Sequence, residues 1–103
     1  MDFVIKNNKE NIVNLARQIG YTNISAVSSN EFSIVRKLTG NSYPRFHIYL
    51  KQAGDKLFFN LHLDQKQPSY EGVHAHNGEY EGPAIENEAD RIKEIFKKYI
   101  DNK

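Results

Sequence analysis

The chain contains no cysteine, a single methionine and only three prolines in 103 residues. Without cysteine it has neither disulfides nor thiolate metal sites, which leaves imidazole and carboxylate as its metal-ligand chemistry. No apolar run is long enough for a membrane span, and Met1-Asp2-Phe3 lacks the basic start and apolar middle of a signal peptide. A soluble, cytoplasmic protein is expected. Excess charge is lacking too: 14 basic against 13 acidic residues leave a net charge of +1, so no global field points to nucleic acid or membrane. The length suits a single domain, residues 1–103, with a modest core.

Charge is nonetheless uneven along the chain. Residues 68–90 hold Glu71, Glu79, Glu81, Glu86, Glu88 and Asp90 with no Lys or Arg, which reads as a solvated loop followed by the acidic start of a helix. What the chain does have is one strongly patterned stretch, residues 43–64. Phe46, Ile48 and Leu50 alternate with Arg45, His47, Tyr49 and Lys51; Leu57, Phe59, Leu61 and Leu63 alternate with Phe58, Asn60, His62 and Asp64. Period two on both sides of Gly54-Asp55 predicts a β-hairpin on a type II′ turn. That turn sets Tyr49 opposite Asn60, His47 opposite His62 and Arg45 opposite Asp64. A looser turn on Ala53-Gly54 slips the partner by two residues and opposes His47 to Asn60 instead.

Before the hairpin, Ile5, Ile12, Leu15, Ala16 and Ile19 share a helical stripe, predicting a helix over residues 1–20, capped by Asp2 or Asn8 and stopped by Gly20; an interruption at Asn7-Asn8 moves its start to Lys9. A Ser- and Asn-rich connection follows, with a short strand near residues 24–27. Residues 31–38 fit a strand carrying Phe32, Ile34 and Leu38, or a two-turn helix between Asn30 and Gly40; we take the strand. After the hairpin, residues 67–82 carry Pro68, Gly72, Gly78 and Gly82 without apolar periodicity and read as a long loop. Pro83 then opens a helix over 83–101, whose stripe is Ile85, Ala89, Ile92, Phe96 and Tyr99. The order helix–strand–strand–strand–helix predicts an α+β, two-layer domain: an antiparallel sheet over residues 31–66 with both helices on one face.

Function is then sought on the uncovered face. His47, His62 and Asp64 lie there by register, and His76, with His74 in reserve, sits in the loop that follows; imidazoles plus a carboxylate suit Zn²⁺ or another divalent ion. The expectation is a metal-binding domain with His47, His62, Asp64 and His76 as ligands. Two other readings use the same face. Arg45, Tyr49, Tyr70 and Tyr80, with Lys51 and Phe58, mix cations and rings that would hold a protein partner or stack single-stranded nucleic acid. Alternatively, a histidine moves protons in a small metal-dependent or histidine-based hydrolase or nuclease, with Arg45 on phosphate.

The runs Tyr43-Pro-Arg-Phe-His-Ile-Tyr49, Leu61-His-Leu-Asp-Gln-Lys66, Pro68-Ser-Tyr70 and Ala75-His76 followed by Glu79-Tyr80 and Gly82 resemble a family of small bacterial proteins of no established activity. The resemblance covers roughly residues 31–95. It implies a compact cytosolic domain and singles out His62, Asp64, Tyr70, His76 and Tyr80 as matching the signature.

Overall fold

A computed structural model describes residues 1–6, 10–65 and 78–101. Its elements are β1 (Asp2–Lys6), α1 (Ile12–Gln18), β2 (Thr22–Ala26), β3 (Glu31–Lys37), β4 (Arg45–Ala53), β5 (Lys56–Asp64), β6 (Gly78–Glu79) and α2 (Pro83–Asp101). The strands form one antiparallel sheet in the order β1-β5-β4-β3-β2, with β6 on the remaining length of the β5 edge. The domain is α+β.

The hairpin forms with the tight register. Ala53 pairs with Lys56, His47 with His62 and Arg45 with Asp64. Gly54 has φ +61°, and Asn23 is the one non-glycine residue at positive φ among the described residues, so Asp55 follows at negative φ as a type II′ turn requires. Residues 31–37 are a strand, placing Ile34 opposite Ile48 and Phe32 opposite Leu50.

The first twenty residues differ from the single helix expected. Residues 2–6 are a strand, and α1 begins only at Ile12, capped by Asn11, whose Oδ1 accepts from the Asn14 amide at 3.1 Å. The stripe through Ile5 and Ile12 fits a helix, yet Phe3, Val4 and Ile5 are aromatic and β-branched and favour a pleated surface. What decides between them is the β5 edge: its backbone groups are satisfied by β1, and Phe3 stacks on Phe59 with centroids 4.7 Å apart. Gly20 does end α1. At φ +84° it supports a Schellman motif, with Tyr21 N–H on Ala16 C=O and Gly20 N–H on Arg17 C=O. The sheet also extends beyond residues 31–66: the short strand expected near residues 24–27 forms as β2 and pairs with β3, and β1 and β6 are added on the β5 edge. Within the expected loop, residues 78–79 pair with Asp64 and Leu63.

Both helices cover the side of the sheet bearing Phe46, Ile48, Leu50, Phe59 and Leu61, where Leu15, Ile19, Ile85, Ala89, Ile92 and Phe96 complete one core. Phe96 meets Phe59 edge to face at 5.7 Å. The α2 stripe is the expected one. Glu88 is not the solvated acid its charge run implied: it is buried, accepts from the Tyr21 hydroxyl at 2.6 Å, and is held by Arg91 at 2.6 and 2.8 Å and Arg36 at 3.4 Å. Burial, then the Glu88 charge, pushes the Tyr21 hydroxyl pKa far up, so it remains a donor. The Glu88 hydrogen bonds hold the Arg91 pKa above its ordinary value.

Candidate functional site

On the helix-free side, alternation in β3, β4 and β5 points Ser33, Val35, Arg45, His47, Tyr49, Asn60, His62 and Asp64 the same way. Pairing sets His47 against His62, and their rings stand 4.6 Å apart. Asp64 lies two residues beyond His62 on the same strand face. Its Oδ1 is 3.0 Å from His62 Nε2, and its Oδ2 is 3.5 Å from His47 Nδ1 and 3.3 Å from Arg45 Nε. One carboxylate therefore faces two imidazoles and a guanidinium.

Rings close over this group. Tyr49 lies 4.5 Å from His47 and 5.8 Å from His62, and Tyr80 stacks on His62 at 5.1 Å. Tyr80 is brought there by β6 and by its own carbonyl, which accepts from the Met1 ammonium at 2.9 Å. His62 is consequently 5 % exposed although it lies on the side away from the helices. Its Nδ1 is buried and unpartnered, unlike any other buried side-chain polar atom among the described residues.

Both imidazole pKa values are lowered. For His47 the cause is burial, then the charge of His62, with Asp64 raising it again; for His62 it is burial, opposed by Asp64 and reinforced by the Met1 ammonium. Neutral imidazole is the form that binds metal. One atom each from His47, His62 and Asp64 lies within 4.8 Å of the others, and no other such His/Cys/Asp/Glu group occurs among the described residues. The carboxylate offers a different oxygen to each imidazole, Oδ1 at 3.0 Å from His62 Nε2 and Oδ2 at 3.5 Å from His47 Nδ1, separations close to the about 3.4 Å between neighbouring ligands on an ion with bonds of about 2.0–2.1 Å. The donor set fits a divalent ion.

Of the predicted residues, His47, His62, Asp64, Tyr49 and Tyr80 come together. Arg45 joins them, but it is committed to Asp64 and lies over the Tyr43 ring at 4.5 Å. Tyr70, His74 and His76 lie outside the described residues. Sequence reasoning missed Ser33, whose Oγ is 2.6 Å from His47 Nε2. Its place follows from the β3–β4 register, which sets Ser33 opposite Tyr49, and no local sequence pattern specifies that pairing.

Next to this cluster the same side of the sheet opens into a groove of about 480 Å³, lined by Val4, Val27, Glu31, Tyr49, Phe58 and Asn60 among others. Val4, Tyr49 and Phe58 are each about half exposed, so an apolar floor is presented to solvent. Among the described residues, no helix is long and apolar enough to cross a membrane. Set against known family profiles, curated proteins and solved structures, the chain matches none.

Proposed function

We propose that the protein binds a divalent metal ion, zinc or a close analogue, through His47 Nδ1, His62 Nε2 and the Asp64 carboxylate. The observation that carries this reading is the convergence of these three donors from two paired strands. Two imidazoles and one carboxylate are the donor set of open catalytic zinc sites, in which a fourth position is left for water or substrate. Ser33 fits the arrangement as a supporting group: with His47 Nδ1 on the ion, Nε2–H donates to Ser33 Oγ and fixes the ring. Arg45 opposes it, since a guanidinium at 3.3 Å from Oδ2 competes with the ion for the carboxylate.

Calorimetric zinc titration of tag-free protein tests the reading. One ion per chain is expected, with affinity reduced at least about tenfold, or about 1.4 kcal/mol, in His62→Ala. Zinc bound equally by the variant and the parent removes this reading.

A second reading is supported by the groove. Tyr49 and Phe58 present exposed rings beside Lys51, the combination that stacks single-stranded bases or anchors a protein partner. Oligonucleotide binding that weakens steeply with salt is expected if phosphates are contacted, and salt-insensitive affinity argues against it.

A further inference from the structure

The geometry points to a second chemistry at the same face: in the metal-free protein Ser33 is a nucleophile activated by His47 and positioned by Asp64, acting on esters whose apolar group lies in the adjoining groove. The inference does not rest on metal binding; it concerns the other state of the same imidazole.

The tautomer carries the argument. Of the two His47 ring nitrogens Nδ1 is the one turned to the Asp64 carboxylate, at 3.5 Å, so in the absence of metal the tautomer that the negative charge favours is the one with the proton on Nδ1. Nε2 is then the lone-pair nitrogen, and the 2.6 Å contact to Ser33 has the hydroxyl donating to it. Serine Oγ on imidazole Nε2, with a carboxylate on Nδ1, is the relation that nucleophile, general base and orienting acid have in acyl-transfer enzymes of unrelated folds. Here the three residues come from β3, β4 and β5 in order across the sheet. His62 holds the other carboxylate oxygen at 3.0 Å and Arg45 shares Oδ2, which fixes the orientation of Asp64.

The groove supplies the substrate class. Tyr49 is directly opposite Ser33, and Glu31, two residues earlier on the same strand face, lines the groove with it. Cβ atoms of such opposed residues are about 4.5–5.5 Å apart, so the floor made by Tyr49, Phe58 and Val4 begins one side chain from the hydroxyl. The charged residues of the groove are Asp2, Glu31 and Lys51, with Lys51 4.0 Å from Glu31, so cationic charge is not in excess there. An uncharged ester with an apolar or aromatic group suits this floor. In the step itself Ser33 Oγ bonds to the ester carbonyl carbon and its proton passes to Nε2. The carbon–oxygen bond to the alcohol breaks as His47 returns that proton to the leaving oxygen. Water attacks the acyl-serine by the same route, releasing the acid and restoring the hydroxyl.

Three probes test it in protein kept metal-free with a chelator. A short alkyl fluorophosphonate is expected to add to Ser33, located by peptide mass spectrometry, at a rate about a hundredfold lower in His47→Ala, the usual range for a general base. Because the chain has no cysteine, Ser33→Cys introduces one thiol. Its alkylation by iodoacetamide is expected to be at least about tenfold faster than in Ser33→Cys with His47→Ala, since a paired imidazole raises the thiolate fraction. For p-nitrophenyl butyrate hydrolysis, Asp64→Asn is expected to lower kcat and leave KM, set by the groove, unchanged. No fluorophosphonate on Ser33, or thiol reactivity independent of His47, overturns the proposal. Added zinc separates the two readings: suppression of Ser33 labelling supports the metal on His47 Nδ1, whereas undiminished, His47-dependent labelling overturns the metal reading and upholds this one.

Discussion

At the scale of single residues, the site is governed by Asp64. It is one carboxylate with three neighbours that all approach as cations or donors: Arg45, His47 and His62. Its removal leaves the Arg45 guanidinium without a counter-charge and two neutral imidazoles without their shared acceptor, so Asp64→Ala is expected to cost about 2 kcal/mol, the range for losing a hydrogen bond to a charged group, measured by urea unfolding at pH 7.5. A loss below about 1 kcal/mol contradicts the assignment. The histidines make the metal-free protein sensitive to acid. Burial lowers both imidazole pKa values in the folded state, so below about pH 6.5 the unfolded chain takes up protons that the folded protein resists. Stability is therefore expected to be level above pH 6.5 and to fall as the pH drops through the lowered folded values. Urea midpoints between pH 8 and pH 5.5 report this, and the decline should be shallower in the His47→Gln, His62→Gln double variant. An equal decline in both proteins contradicts it.

At the scale of elements, the outcome depended on whether a segment's partner lies close by in sequence. The β4–β5 hairpin was legible because Gly54-Asp55 fixes its own register, and with the register came the His47–His62 and Arg45–Asp64 pairs. The stripe of α2 was legible because helical periodicity is local. Strand β1 was not: Ile5 and Ile12 are seven apart and imitate a helix face, and only the β5 edge, fifty or more residues away, makes a strand of residues 2–6. Ser33 stayed hidden for the same reason, since its approach to His47 depends on which strand β3 pairs with. The strand assignment has a direct consequence. Phe3 is buried against Phe59 and lies beneath Lys93, so Phe3→Ala is expected to destabilise by about 3 kcal/mol or more through the cavity it leaves. A change under 1 kcal/mol in urea unfolding would show that β1 adds nothing to the core.

At the scale of the whole molecule, the chain divides its polar investment between two clusters on opposite sides of one sheet. On the covered side Glu88 ties α2 to Tyr21 at the end of α1 and to Arg36 of β3, while Arg91 reaches the Ile19 carbonyl at 2.6 Å. On the open side Asp64 gathers groups from β4 and β5 and leaves a groove beside them. The first cluster was invisible in sequence, its partners being 67 and 52 residues apart; the second was visible because the hairpin is self-contained. Only the second faces the groove, and the first is expected to affect stability alone. Glu88→Gln should lower the unfolding midpoint and leave zinc affinity within about twofold; a tenfold loss of affinity would show the clusters to be linked.

The most direct test of the proposed metal centre is anomalous diffraction at the zinc edge from crystals grown with one equivalent of zinc. The account predicts a single strong peak about 2.0–2.2 Å from His47 Nδ1, His62 Nε2 and an Asp64 oxygen. Zinc bound elsewhere on the chain, with no peak between these three side chains, would contradict it.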